Sequence, residues 1–178
     1  GRQPEAAFWN LQQLAGCLTL VAGSDALVAA LNSFAPAYRD ALREAMLRRL
    51  GLKSRGGEAD IELVNAAFRA LAGGGERLRW EPFFFDWFCG SQARALAGPR
   101  ADLYADEAFA DFRARLADFK PDQPERLAHP YFAGPEPEEM LIDEVEALWA
   151  AIAERDDWTP LAAKLERLEA ARVGWGLG

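Results

Sequence analysis

The sequence predicts an all-α protein, an irregular multi-helix domain. Three observations carry that expectation. Apolar residues recur at spacings of three and four along nearly every segment. Gly and Pro punctuate those segments at their ends. No stretch alternates apolar and polar residues convincingly enough for a strand, and there is no internal repeat or low-complexity tract.

Taken in order, the first helix has Pro4 in its first turn and carries Phe8, Leu11, Leu14, Ala15 and Leu18 on one face, with Gly23 as its stop. Ser24 is placed as the cap of a second helix bearing Leu27, Leu31 and Phe34. Pro36 breaks or kinks the path. A third helix carries Tyr38, Leu42, Met46 and Leu50, and Gly51 ends it. After the loop Lys-Ser-Arg-Gly-Gly-Glu, a fourth helix places Ile61, Val64, Phe68 and Leu71 at helical spacing, closed by Gly73, Gly74 and Gly75. Residues 98–104 read as a connector. Phe109, Phe112, Leu116 and Phe119 mark another helix. Residues 120–137 hold five prolines and read as an ordered surface loop. Leu141, Val145, Leu148, Trp149 and Ile152 define a long amphipathic helix. A last helix restarts with Thr159 as cap and Pro160 at its first position.

At 178 residues, 51% of them hydrophobic, the chain is too apolar for disorder. It is long enough for one domain and short for two, so residues 1–178 are expected to form a single helical domain. No apolar run reaches the 18 or so residues of a bilayer span, and nothing in the chain directs export. Two cysteines, Cys17 and Cys89, fit no metal or redox spacing and read as reduced thiols, one or both buried, in a cytoplasmic setting. The 20 basic residues include 17 Arg, a composition associated with high-GC bacteria. The net charge of −8 falls entirely on residues 91–178 and argues against nucleic-acid affinity.

Few residues point to chemistry. His129, the only histidine, lies between prolines and reads as a satisfied turn residue. Gly73–Glu76 is too short for a phosphate loop and follows a helix. The acidic set Glu136, Glu138, Glu139, Asp143, Glu144 and Glu146 has the ligand chemistry for Mg²⁺ or Ca²⁺, but also suits the start of a helix. Arg39, Arg43, Arg48, Arg49, Lys53 and Arg55 form a basic run. The block Trp80–Gly90 packs six aromatic rings into nine residues. One helix cannot face them all to one side. The block is therefore central and buried all round, or part of it meets a partner.

Several of these stretches resemble the C-terminal region of the SelO family: "RQPEAAFWNLQQLAGCL", "YRDALREAMLRRLGL", "DIELVNAAFRAL", the "FFFDWF" block and, more loosely, "HPYFAGPEPEEMLIDEVEALW". The family has a kinase-like fold and transfers AMP from ATP to protein hydroxyls. The resemblance implies a C-terminal helical extension of that fold. Its first helix would pack on a catalytic region lying upstream, which would bind ATP and Mg²⁺. The motifs DNxxxxG and DYG are absent here, so no catalytic, cofactor-binding or metal residue is assigned to this segment. Arg2 stands where the family usually has Asn, and the chain ends "GWGLG", without the redox Cys or selenocysteine of some members. The resemblance thus implies a scaffolding or regulatory segment whose partners are the upstream kinase-like region and the parent's protein substrates, with no nucleic acid or membrane. The alternative is a standalone helical protein-interaction module.

Overall fold

The computed structural model describes residues 2–177, and the chain is all-α. No strand occurs among the described residues; Leu52 and Pro121 form an isolated bridge. The contacts gather the chain into two compact units, residues 1–46 and 47–178.

In the first unit, α1 (Gln3–Leu18) and α2 (Ser24–Asn32) pair through a short turn, and α3 (Phe34–Arg49) follows. The α1 face named from the sequence is used only in part. Phe8 stacks on Phe34 at 5.5 Å, and Phe34 on Tyr38 at 5.9 Å, whereas Leu11 and Leu14 stay 39% and 54% exposed. Ser24 does not cap α2 with its side chain; Gly23 occupies the cap and Ser24 is the first helical residue. Helix α1 stops at Leu18, before Gly23. The chain breaks at Ser33, so Pro36 falls in the first turn of α3, where a missing N–H costs nothing.

The second unit opens on a tight stop. Gly51, at φ +63°, lets the Gly51 and Leu52 N–H groups bond the Arg48 and Leu47 carbonyls, closing the last turn of α3. Asp60 then organises the next loop. From inside α4 (Gly57–Gly74) its carboxylate accepts from the N–H groups of Arg55 and Gly56 and from the Ser54 hydroxyl. The expected α4 face is rotated. Leu63, Val64, Ala67, Ala70 and Gly74 are buried, while Ile61 and Phe68 are partly exposed. Small side chains let α8 (Ala110–Leu116) approach closely on that face, and Phe68 instead meets Trp80, centroids 5.9 Å apart.

The aromatic block is the core. Helix α5 (Trp80–Asp86) lasts seven residues, and a 3-10 turn (Phe88–Gly90) follows with Cys89 in the left-handed region at φ +57°. That kink sends the rings in all directions. Phe83 and Trp87 pack on Phe112, Trp87 on Tyr104, and Phe85 and Phe88 on Phe132. Only Trp80 keeps substantial exposure. Cys89 is buried and Cys17 exposed. Short helices α6 (Gln92–Ala95) and α7 (Ala101–Ala105) complete this wall; α7 corrects the reading of 98–104 as a mere connector.

The Pro-rich stretch holds two 3-10 turns, Pro124–Ala128 and Pro130–Ala133. The unit closes with α9 (Ile142–Arg155) and α10 (Thr159–Trp175). Thr159 is the first residue of α10 and not its cap; Trp158 holds the cap position, and the Asp157 carboxylate accepts from the Thr159 N–H at 3.0 Å. Gly176 and Leu177 end it with N–H bonds to the Val173 and Arg172 carbonyls.

Candidate functional site

The chemistry-bearing residues converge on an acid–base lattice in the second unit. Its acidic side is the irregular segment from Gly134 to Leu141 and the start of α9. Its basic side comes from residues distant in sequence: Arg79 before α5, Arg100 before α7, and Lys164 and Arg167 on α10.

Lys164 is at the centre and is 1% exposed. Its ammonium donates to Glu138 and Glu144, both at 2.5 Å, and to the Glu139 carbonyl. Burial alone lowers a lysine's pKa; here the bonds to Glu138 and Glu144 outweigh it, and the pKa is raised. Arg167 backs up both carboxylates at 3.1 and 3.5 Å. Glu139 is held by Arg79.

Arg100 links this lattice to the core. It grips Glu136 through Nη1 at 2.8 and 2.9 Å, and Asp86 through Nε at 2.6 Å and Nη2 at 3.1 Å. Asp86 also accepts from the Tyr104 hydroxyl at 2.7 Å. Burial, then the bond to Asp86, pushes the Tyr104 pKa well up. Arg100 is raised as well: burial opposes its charge, but the bonds to Asp86 and Glu136 outweigh it. At the core end of the lattice is thus a buried carboxylate inside the aromatic block, satisfied by three donors.

The acidic set therefore does not assemble as a metal site. Four of its six carboxylates are engaged by Arg or Lys, Asp143 and Glu146 are exposed on α9, and Glu139 lies outside that helix. Among the described residues, no cluster of three or more His, Cys, Asp or Glu is arranged to hold a metal ion. The basic run is dispersed too. Arg43 pairs with Asp40, Arg49 with Glu81 and Arg55 with Asp118. His129 is a satisfied turn residue: its Nδ1 accepts from the Tyr131 N–H at 3.2 Å. Glu76 belongs to a 3-10 turn after α4, with Gly75 at φ +55°.

Sequence reasoning missed Lys164, Arg100, Tyr104 and Asp60. Asp86 carried a signal, as the one charge inside a run of rings, where a partner is required. Lys164 carried none, because its carboxylates are 20 and 26 residues away.

The family model described as protein adenylyltransferase SelO matches residues 1–169. Curated relatives bear the name protein nucleotidyltransferase YdiU. The Bradyrhizobium sp. protein is 32% identical over 174 residues, which cover 89% of this chain and 33% of that protein. The Azotobacter vinelandii protein is 30% identical over 164 residues, again 89% and 33%. The Klebsiella pneumoniae protein is 31% identical over 132 residues, 70% of this chain and 26% of that one. The chain thus spans about a third or less of the length of these relatives. No solved structure matches it significantly. On the extent of the family match, the chain belongs to the SelO family of protein adenylyltransferases.

Proposed function

We propose that this chain is the C-terminal helical region of a SelO-type adenylyltransferase, acting in the cytoplasm. The parent would transfer AMP from ATP, with Mg²⁺, to Ser, Thr or Tyr hydroxyls of proteins. Here the segment scaffolds or regulates, and the nucleotide-binding and metal-binding groups come from the kinase-like region upstream. One observation carries the reading. The charged groups that could have served phosphate or metal are engaged with one another: Glu136 with Arg100, Glu138 and Glu144 with Lys164, Glu139 with Arg79, and Arg49 with Glu81. Nucleotidyl transfer needs cations and metal-holding oxygens positioned around phosphates, and an internally neutralised lattice instead holds helices together.

The test is AMP transfer by the full-length protein with and without residues 1–178, alongside calorimetry of the separate segment with Mg-ATP. The expected outcome is no stoichiometric nucleotide binding by the segment and impaired transfer or solubility of the shortened parent. Micromolar Mg-ATP binding by the segment, lost in Arg43→Ala or Arg48→Ala, would overturn the proposal. The second reading, a helical interaction module working without a catalytic region, draws on the exposed apolar side chains of α1 and α9, Trp9, Leu14, Ile142 and Trp149. Unimpaired transfer by the shortened parent would favour it.

A further inference from the structure

Helix α9 is attached unlike the helices of the aromatic core. Of its fourteen residues only Ala151 is buried, while Ile142 and Trp149 are 68% and 66% exposed. By contrast α4, α5 and α8 each bury large side chains. In α9 Ala151 is the one buried side chain, with Leu148 and Ile152 half-buried, and charge holds its start and the segment leading into it. Between Gly134 and Glu144, four carboxylates meet four cations: Glu136 with Arg100, Glu139 with Arg79, and Glu138 and Glu144 with Lys164 and Arg167. The segment 134–141 is not helical; besides the ion pairs it is tied by the Glu138 N–H to the Tyr131 hydroxyl at 3.2 Å, and by its Pro135 and Glu139 carbonyls, which accept from Arg100 and Lys164.

Two backbone positions bound this stretch. Gly134 opens it after a 3-10 turn, between Ala133 and Pro135. Asp156 closes it at φ +52°, a left-handed conformation that a residue with a Cβ holds at a cost.

We propose that residues 134–156 form an ionically latched strap, which opens as a unit about Gly134 and Asp156 while the aromatic core stays folded. Apolar attachment and the buried Lys164 pairs resist salt; the pairs of Arg79, Arg167 and Glu136, each with a side chain about half exposed, do not, because the screening length falls from about 10 Å at 0.1 M to about 3 Å at 1 M. Elements with few buried apolar contacts open locally at lower free energy than the core. The open form presents the bed of Arg79, Arg100, Lys164 and Arg167 to solvent, a surface that an acidic segment in trans would fit as residues 136–144 fit it in cis.

The test is amide hydrogen exchange on the full-length protein at 0.1 and 1 M sodium chloride, with α4 as internal reference. Exchange over 142–155 is expected to quicken about tenfold with salt while 63–70 stays unchanged. Lys164→Met, which replaces the central cation by an apolar side chain of similar length, should quicken it already at low salt and flatten the salt response. Glu136→Gln, at a half-exposed carboxylate, gives a milder shift in the same direction and guards against misfolding of the Lys164 variant. Salt-independent exchange over 142–155 in the unaltered protein would overturn the proposal, as would protection equal to that of α4 in Glu136→Gln.

Discussion

Asp86 offers the sharpest test of how the core is held. It is the buried one of the two charges in the aromatic block, Glu81 lying at its edge in a pair with Arg49. Asp86→Ala removes the acceptor of three bonds at once. The Tyr104 hydroxyl is left buried without a partner, a loss of about 1–3 kcal/mol. Arg100, whose side chain is 14% exposed, keeps Glu136 but loses its inner carboxylate. Breaking a buried ion pair from one side costs about 3–5 kcal/mol, and the surviving Glu136 contact offsets part of it. The sum expected is about 3–5 kcal/mol. For a chain of this length each kcal/mol lowers the melting temperature by about 2–4 °C, so the drop should be roughly 6–20 °C. Asp86→Asn keeps one oxygen acceptor and should cost about 2–3 kcal/mol. The combined change Asp86→Leu, Arg100→Met, Tyr104→Phe removes all partners together and should recover most of the loss, since apolar replacement of a whole buried polar group is often neutral. Urea unfolding of the four proteins, followed by circular dichroism, reads each value. A loss below about 1 kcal/mol for Asp86→Ala would refute the reasoning, as would a combined variant no better than the single one.

Two further outcomes follow from the same contacts. Lys164 and Tyr104 both have pKa values raised by the fold above ordinary values of 10.5 and 10.0. A raised pKa means that the folded state holds the proton more tightly. The stabilisation is therefore complete below pH 10 and is lost as pH rises beyond it; thermal unfolding between pH 8 and 11 should fall off above 10, and Tyr104→Phe should reduce the slope. Gly51→Ala should cost about 2–4 kcal/mol in urea unfolding, because a Cβ there would lie 2.7 Å from Phe88 Cε2 and φ is +63°.

Helical class was legible because it is written locally. The 3.6-residue period, Pro4 in a first turn and Gly51 in a left-handed stop are properties of neighbouring residues, and they appear in the structure as read. The burial of Phe83, Phe84, Phe85, Trp87 and Phe88 was legible as one of two outcomes, since six rings in nine residues need either a core or a partner. Boundaries were less so: Thr159, read as a cap, is the first residue of α10 and gives its N–H to the Asp157 carboxylate, because the path of the chain decides which side chain meets the free donors of a helix start. Tertiary structure alone decided the face of α4, where close approach to α8 favours alanines over the larger Ile61 and Phe68. It also decided the fate of the acidic residues. Their local pattern suits a helix start or a solvated face better than a metal, and the cations that claim them, Arg79, Arg100, Lys164 and Arg167, are brought in from 20 to 60 residues away. A local pattern cannot encode such pairs, because charge acts through distance in space and only the packed chain sets that distance.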